Sequence, residues 1–401
     1  MEAVGWVARS GRSLLKSNSF RPPKHGLSSS SSVSVSESLE QKDRKVTAAI
    51  TKRSKKGRLP YGDVDEDYAT LIKIRVGLQG GDPKFGELTE MQAQRAMIII
   101  QKLYENDTIW RCLTDYYPTL DRRRLPRLQV RLSQSSGLLP PSLFIEVESM
   151  GQFMERTGGQ ANIFSARLNG NKVAVKELRI FQNMTKSERT RVQMTFSREA
   201  ILWSHLRHRN VIRLLGLKSM QWGAPVMIMP WYRRGSVMNF LTTSKSRPTV
   251  SQLNKWLLDV ATGLKYLHME EIVHGDLRGA NVLLSDHGDA VLTDFGLAVF
   301  ASEHSNALGS LRGGSELWQA PELLDPALFG LTSFRPTYKS DLFSFACLCI
   351  ELYTQEAPFA ELTIMTARRR VTKGERPPCP SAPAHQSMCD ELWDVVQIAS
   401  S

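Results

Sequence analysis

The sequence predicts an α+β fold in two lobes, a small sheet-rich lobe followed by a larger helical one. Short strand-like runs at Lys172 to Glu177 and Val226 to Met229 flank a single helical segment around Thr195 to Leu206. After Gly235 long helical patterns take over. Strands gathered early and helices late argue against the alternation that builds a parallel sheet. With 401 residues, 41% of them apolar, the chain exceeds one average domain and can bury a large core.

Taken in order, residues 1–60 read as a disordered, basic, Ser-rich tail. Pro22, Pro23 and the Ser28 to Ser32 run break any long amphipathic helix. Glu2 is the only acid in the first 36 residues, a composition shared with mitochondrial transit peptides. Residues 1–58 hold thirteen Lys and Arg against four acids, a surplus of nine out of the net +12, so the remaining chain is only +3. Attraction to nucleic acid or anionic surfaces is therefore expected to be weak and confined to the tail. Its densest cluster, Lys52 to Arg58, reads as a solvated charge run, with a nuclear address or a phosphate-binding segment as the alternatives.

Residues 61–140 are expected to form a helical lead-in. Leu88, Met91, Met97, Ile98, Ile100 and Leu103 recur at helical spacing, and Ile109 to Tyr117 continues the pattern after a break. Pro140 and Pro141 stop it before Phe144 to Val147, where a strand-like series begins. Leu342 to Tyr353 is the most apolar run, falls short of the roughly 18–20 residues a membrane span needs, and is interrupted by Glu351. It reads as a buried helix, and no membrane span is expected. Five cysteines, odd in number and without zinc-ligand or disulfide-framework spacing, suit a reducing compartment, cytoplasmic or nuclear.

Four separated motifs carry chemistry. Val173-Ala174-Val175-Lys176 is a strand that aims an ammonium into a cleft, although a lone Lys at a strand end more often snorkels to the surface. His274-Gly275-Asp276-Leu277-Arg278-Gly279-Ala280-Asn281 sets a carboxylate and an amide five residues apart on one tight loop. That pairing provides an acceptor for a hydroxyl and an oxygen ligand for a hard cation. A self-satisfied polar turn is the plainer alternative. Asp294-Phe295-Gly296 follows eighteen residues after Asp276, with strand-like Val282 to Leu284 and Ala290 to Leu292 between them. One hairpin of that length returns Asp294 to the same cleft. Ala320-Pro321-Glu322 closes a 29-residue, Ser- and Gly-rich segment that starts at Asp294.

In that order the motifs resemble the eukaryotic protein kinase signature of Gly-rich loop, V-A-I-K, H-R-D-L-x-x-x-N, D-F-G and A-P-E. The resemblance covers residues 144 to 394 or so, and is nearest to the tyrosine-kinase-like kinases of mushroom-forming fungi. Gly158-Gly159 leading to Ile163, the H-G-D-L-R-G-A-N loop and the lead-in Arg131 to Leu138 carry that finer likeness. It implies a kinase domain over residues 141–401, with a small lobe over 141–232 and a larger lobe over 233–401. ATP, Mg2+ and protein substrates are its implied ligands, and transfer of the γ-phosphate to Ser/Thr hydroxyls its implied activity.

Position by position, the likeness makes Lys176 the phosphate ligand paired with Glu199, Asp276 the catalytic base, and Arg278 a steadying cation. Asn281 and Asp294 become metal ligands. Gly158 and Gly159 would approach the phosphates, while Met229, Pro230 and Tyr232 line the adenine edge and Ile163, Ala174 and Leu283 sandwich the ring. Asp341 would anchor the catalytic loop. Ser/Thr specificity is expected over Tyr because Arg278 stands where Ser/Thr enzymes place a Lys.

Three departures qualify this. Only the middle glycine of G-x-G-x-x-G survives, Arg156 and Ala161 standing at the outer positions. Gly275 replaces the usual Arg, so activation by one loop phosphate is less expected. After Asp394 the family continues through further helices, so the last helices are expected to be missing and Glu322 to lack its usual Arg, with Arg376 too early to serve. A non-catalytic kinase-fold scaffold is the alternative function.

Overall fold

The computed structural model describes residue 44 and residues 64–157, 161–178, 185–220, 225–244, 247–294, 299–300, 315–332, 334–381 and 386–400, and within residues 64–157 four α-helices precede the sheet. The expected tail over 1–60 lies almost wholly outside the described residues. Helix α1 spans Val64–Leu78, α2 Glu90–Glu105, α3 Asp107–Thr114 and α4 Leu125–Ser136. Reciprocal hydrogen bonds between Thr89 and Gln92 start α2, and Asn106 accepts from the Thr108 and Ile109 N–H groups to start α3. Pro126 opens α4 and Gly137, at φ +73°, closes it. The helical spacing seen from Leu88 onward is real, but Met91 is 61% exposed. Its place in the stripe goes to Ala93 and Ala96, which with Ile74, Ile100, Leu103 and Leu132 belong to a core separate from that of the later helices.

The strand-like series expected from Phe144 does not form a strand there. Phe144 makes one isolated bridge to Leu217, with the Ile145 N–H donating to the Leu217 carbonyl, and the sheet begins only at Ser149. Strands β1 (Ser149–Thr157), β2 (Ala161–Leu168), β3 (Asn171–Leu178), β4 (Gly216–Lys218) and β5 (Val226–Pro230) make an antiparallel sheet in the order β1-β2-β3-β5-β4. Val173, Val175, Val226 and Ile228 pack together on one of its faces. The register sets Ala174 opposite Met229 and Val173 opposite Pro230, which brings the V-A-V-K strand alongside the chain that leaves the sheet. Helix α5, Lys186–His205, crosses between β3 and β4.

The larger lobe is helical. Helices α6 (Val237–Thr243) and α7 (Val250–Met269) lead to strand β6 (Ile272–Val273), the hairpin β7 (Val282–Leu284) and β8 (Ala290–Leu292), and β9 (Val299–Phe300), which pairs with β6. Helices α8 (Pro321–Leu324), α9 (Tyr338–Thr354), α10 (Ile364–Thr372) and α11 (Asp390–Ser400) complete it. The apolar run that begins at Leu342 lies in α9, buried from Ser340 to Tyr353 and opened by reciprocal caps between Thr337 and Ser340. Among the described residues no helix is long and apolar enough to cross a membrane. Together the sheet and these helices form the two-lobed α+β protein kinase architecture.

Candidate active site

The loop after β6 takes its shape from one buried carboxylate. Asp341, near the start of α9, accepts from the His274 N–H at 2.8 Å, the Gly275 N–H at 2.8 Å and His268 Nε2 at 2.8 Å. Gly275 lies at φ +79°, a left-handed backbone that any side chain would strain. The glycine that departs from the family pattern therefore suits the turn it occupies. His274 is buried, and burial pushes its pKa down so that the ring stays neutral. Its Nδ1 accepts from the Asp276 N–H, so Nε2 carries the proton and donates to the Thr293 carbonyl.

The site side chains converge as the motifs imply. Asn281 donates both amide hydrogens to Asp276, to its carbonyl at 2.8 Å and to Oδ2 at 2.9 Å. The amide oxygen is left as the ligating atom of Asn281. Arg278 Nε lies 3.6 Å from the other Asp276 oxygen. Strands β7 and β8 form the expected hairpin, with Val282 opposite Leu292, and the Thr293 N–H donates to the Asn281 carbonyl at 3.0 Å. Asp294 is thereby tied to the same loop. It sits at φ +63°, a left-handed conformation rare for residues with side chains and concentrated at functional sites.

From the opposite lobe Lys176 reaches across. Its Nζ lies 2.6 Å from Glu199 Oε1 on α5 and 3.1 Å from Asp294 Oδ1, with the Trp203 ring centroid 5.0 Å away. Lys176 and Glu199 are both buried, so each charge depends on the other. An ammonium, a carboxylate and an amide oxygen around one cleft are a donor set that suits phosphate oxygens and a hard divalent cation. Ile163, Ala174, Leu283, Pro230 and Tyr232 are half-buried and Met229 is buried. Gly158 and Gly159 lie outside the described residues.

Glu351 escaped the reading of the sequence, where it counted only as an interruption of an apolar run. Its Oε2 accepts from the Gly279 N–H and from Trp318 Nε1, each at 2.8 Å, and so links α9, the catalytic loop and the segment before Ala320. A Cβ on Gly279 would come within 2.6 Å of Met238, so the loop can approach this closely only as glycine. Isolation of one carboxylate within an apolar helix was the available signal. Burial raises the Glu351 pKa from 4.5 to about 7, against the lowering effect of its two donors. Folding is therefore favoured while both states hold the proton, below about pH 4.5. That advantage is lost as pH rises towards 7, because the folded chain then binds the proton more tightly than the unfolded one. Glu351→Gln keeps an acceptor for both donors and cannot ionise. It is expected to remove on the order of 3 kcal/mol from the stability difference between pH 5 and pH 8. Urea denaturation at both pH values measures this, and identical pH slopes for the two proteins would exclude it.

Glu322 closes the Ala320-Pro321-Glu322 motif. It is half-buried, burial raises its pKa, and the charges of Lys339 and then Arg376 pull it down, although among the described residues no ion pair forms within 4 Å of it. The Arg376 guanidinium instead donates to the Ser400 and Val371 carbonyls.

Residues 148–397, more than half of the chain, match the family described as protein tyrosine and serine/threonine kinase. The chain is similar to the serine/threonine-protein kinase STY17 of Arabidopsis thaliana, 30% identical over 59% of this chain and 39% of the relative. It is 30% identical to MAP3K epsilon protein kinase 2 of the same plant, over 53% of this chain and 15% of the relative. With mitogen-activated protein kinase kinase kinase 1a of Physcomitrium patens it shares 28% identity over 57% of this chain and 28% of the relative. The chain spans less than half the length of each of these relatives, and the match with the family begins after α4.

Proposed function

The chain belongs to the protein tyrosine and serine/threonine kinase family, and we propose from that premise that it transfers the γ-phosphate of ATP to Ser/Thr hydroxyls of protein substrates in intracellular signalling. The observation that carries this reading is the Lys176 ammonium, held by Glu199 and Asp294, facing a loop in which Asn281 and Arg278 fix the Asp276 carboxylate.

In this reading Lys176 binds the α- and β-phosphates, and Glu199 holds it in reach. Asp276 orients the substrate hydroxyl. As the substrate oxygen bonds to the γ-phosphorus and the bond to ADP breaks, the hydroxyl proton passes to Asp276. Arg278 steadies the transferring group. Asn281 and Asp294 would hold Mg2+, which when bound neutralises charge on the phosphates. Met229, Pro230 and Tyr232 form the adenine edge, with Ile163, Ala174 and Leu283 on the ring faces. Ser/Thr relatives and Arg278 support the choice of hydroxyl. The H-G-D-L-R-G-A-N loop supports placing the chain in the tyrosine-kinase-like group, as in mushroom-forming fungi.

The domain division proposed is a basic tail over 1–60, a helical region over 61–140 and the kinase domain over 141–401. Purified full chain with ATP and Mg2+ is expected to phosphorylate Ser/Thr in a generic protein substrate, and a chelator should stop it. Phosphotyrosine as the only product, or nucleotide binding without transfer, would overturn the proposal.

A further inference from the structure

Outside the residues matched by the kinase family lies the helical region of α1 to α4, and it rests on the helix that carries Glu199. Helix α5 is buried from Phe196 to its end at His205, apart from half-buried Arg198, and Leu206 just beyond it is buried too. One side meets the sheet and Lys176, while the rear meets α4. Val130 of α4 is fully buried in the kinase core with Phe196 and Trp203, not in the core of its own helices. The Tyr104 hydroxyl donates to the His205 carbonyl at 2.7 Å, and its ring meets the His205 ring edge-on at 4.0 Å.

A directional chain of hydrogen bonds, buried at His205, Gln129 and Gln101 and ending on exposed Glu105, fixes this contact. His205 Nε2 donates to Gln129 Oε1 at 2.6 Å, Gln129 Nε2 to Gln101 Oε1 at 2.9 Å, and Gln101 Nε2 to Glu105 at 2.6 Å. The His205 ring is neutral because burial pushes its pKa down to about 3. Directional hydrogen bonds between buried groups favour one register over others, so this network positions as well as attaches. On the larger lobe Arg127 of α4 pairs with Glu271, just beyond α7.

We propose that the helical region is a built-in positioning element: docked on the rear of α5 through Val130, Tyr104 and the Gln129–His205 bond, it holds Glu199 against Lys176. This rests on the kinase reading above. Gln129, Tyr104 and Val130 touch no substrate and act through α5.

The test uses the full chain. Val130→Glu places a charge in the docking contact while sparing the separate core of the helical region. Amides of residues 196–206 are expected to exchange with solvent at least about tenfold faster, those of α7 and α9 unchanged, and kcat/KM for transfer to fall at least about tenfold. In the Glu199→Gln background the same substitution should change kcat/KM less than about twofold, since both act on one ion pair. Faster exchange with kcat/KM kept within twofold, or effects that multiply, overturns the proposal. Should Val130→Glu fail to fold, Tyr104→Phe carries the same arms with an expected twofold to fivefold effect, and no change in either arm overturns it. If the wild-type chain binds ATP but transfers nothing, the kinase reading fails by itself. ATP affinity then replaces kcat/KM: a tenfold loss in Val130→Glu supports the positioning role, and unchanged affinity overturns it.

Discussion

Asp276→Asn is expected to lower kcat by about 10^2–10^4-fold while leaving ATP affinity within about twofold. The amide oxygen that replaces a carboxylate oxygen can still accept from Asn281, so the loop keeps its shape. What disappears is a group able to take a proton as the substrate oxygen attacks, together with the negative charge 3.6 Å from Arg278 Nε. Steady-state transfer with a fixed Ser/Thr substrate, and nucleotide binding by calorimetry, separate the two effects. Transfer retained above about a tenth of wild type would remove Asp276 from the role of base.

Asp341→Ala has the largest expected effect on stability. One carboxylate accepts from two adjacent backbone N–H groups and one imidazole, all near 2.8 Å, and the residue is 1% exposed. Truncation leaves those donors buried without an acceptor, at about 1–3 kcal/mol each. Against a typical total of about 5–15 kcal/mol, that removes much of the stability of the larger lobe. A strongly lowered urea midpoint and loss of transfer are expected together. A midpoint shift equivalent to less than about 1 kcal/mol would show that water or another group takes over the donors.

Lys176, Asp276, Asn281 and Asp294 were legible in the sequence because the chemistry fixes both residue type and spacing. A hairpin between two acids at a separation of eighteen has few ways to fold, and the β7–β8 pairing follows the pattern of apolar residues. Glu351 was not legible in its role, because its partners are a backbone N–H 72 residues away and an indole that only tertiary folding brings near. The start of β1 was misplaced since Phe144 to Val147 has strand-forming residues but, among the described residues, its backbone makes one isolated bridge, to Leu217. Burial of α5 on both sides had a faint signal in consecutive Ile201, Leu202 and Trp203, which no single helical face can hide. Its cover could not be identified, because Gln101, Gln129 and Tyr104 look like ordinary surface residues until the chain folds back on itself.

The seating of α4 on α5 joins two stretches of one polypeptide, so their meeting is unimolecular. Such tethering acts like a local concentration in the millimolar range for short connections. The docked arrangement is therefore independent of how many copies of the chain a compartment holds and survives any dilution. A separate molecule competing for the rear of α5 must overcome that local excess before it gains a foothold.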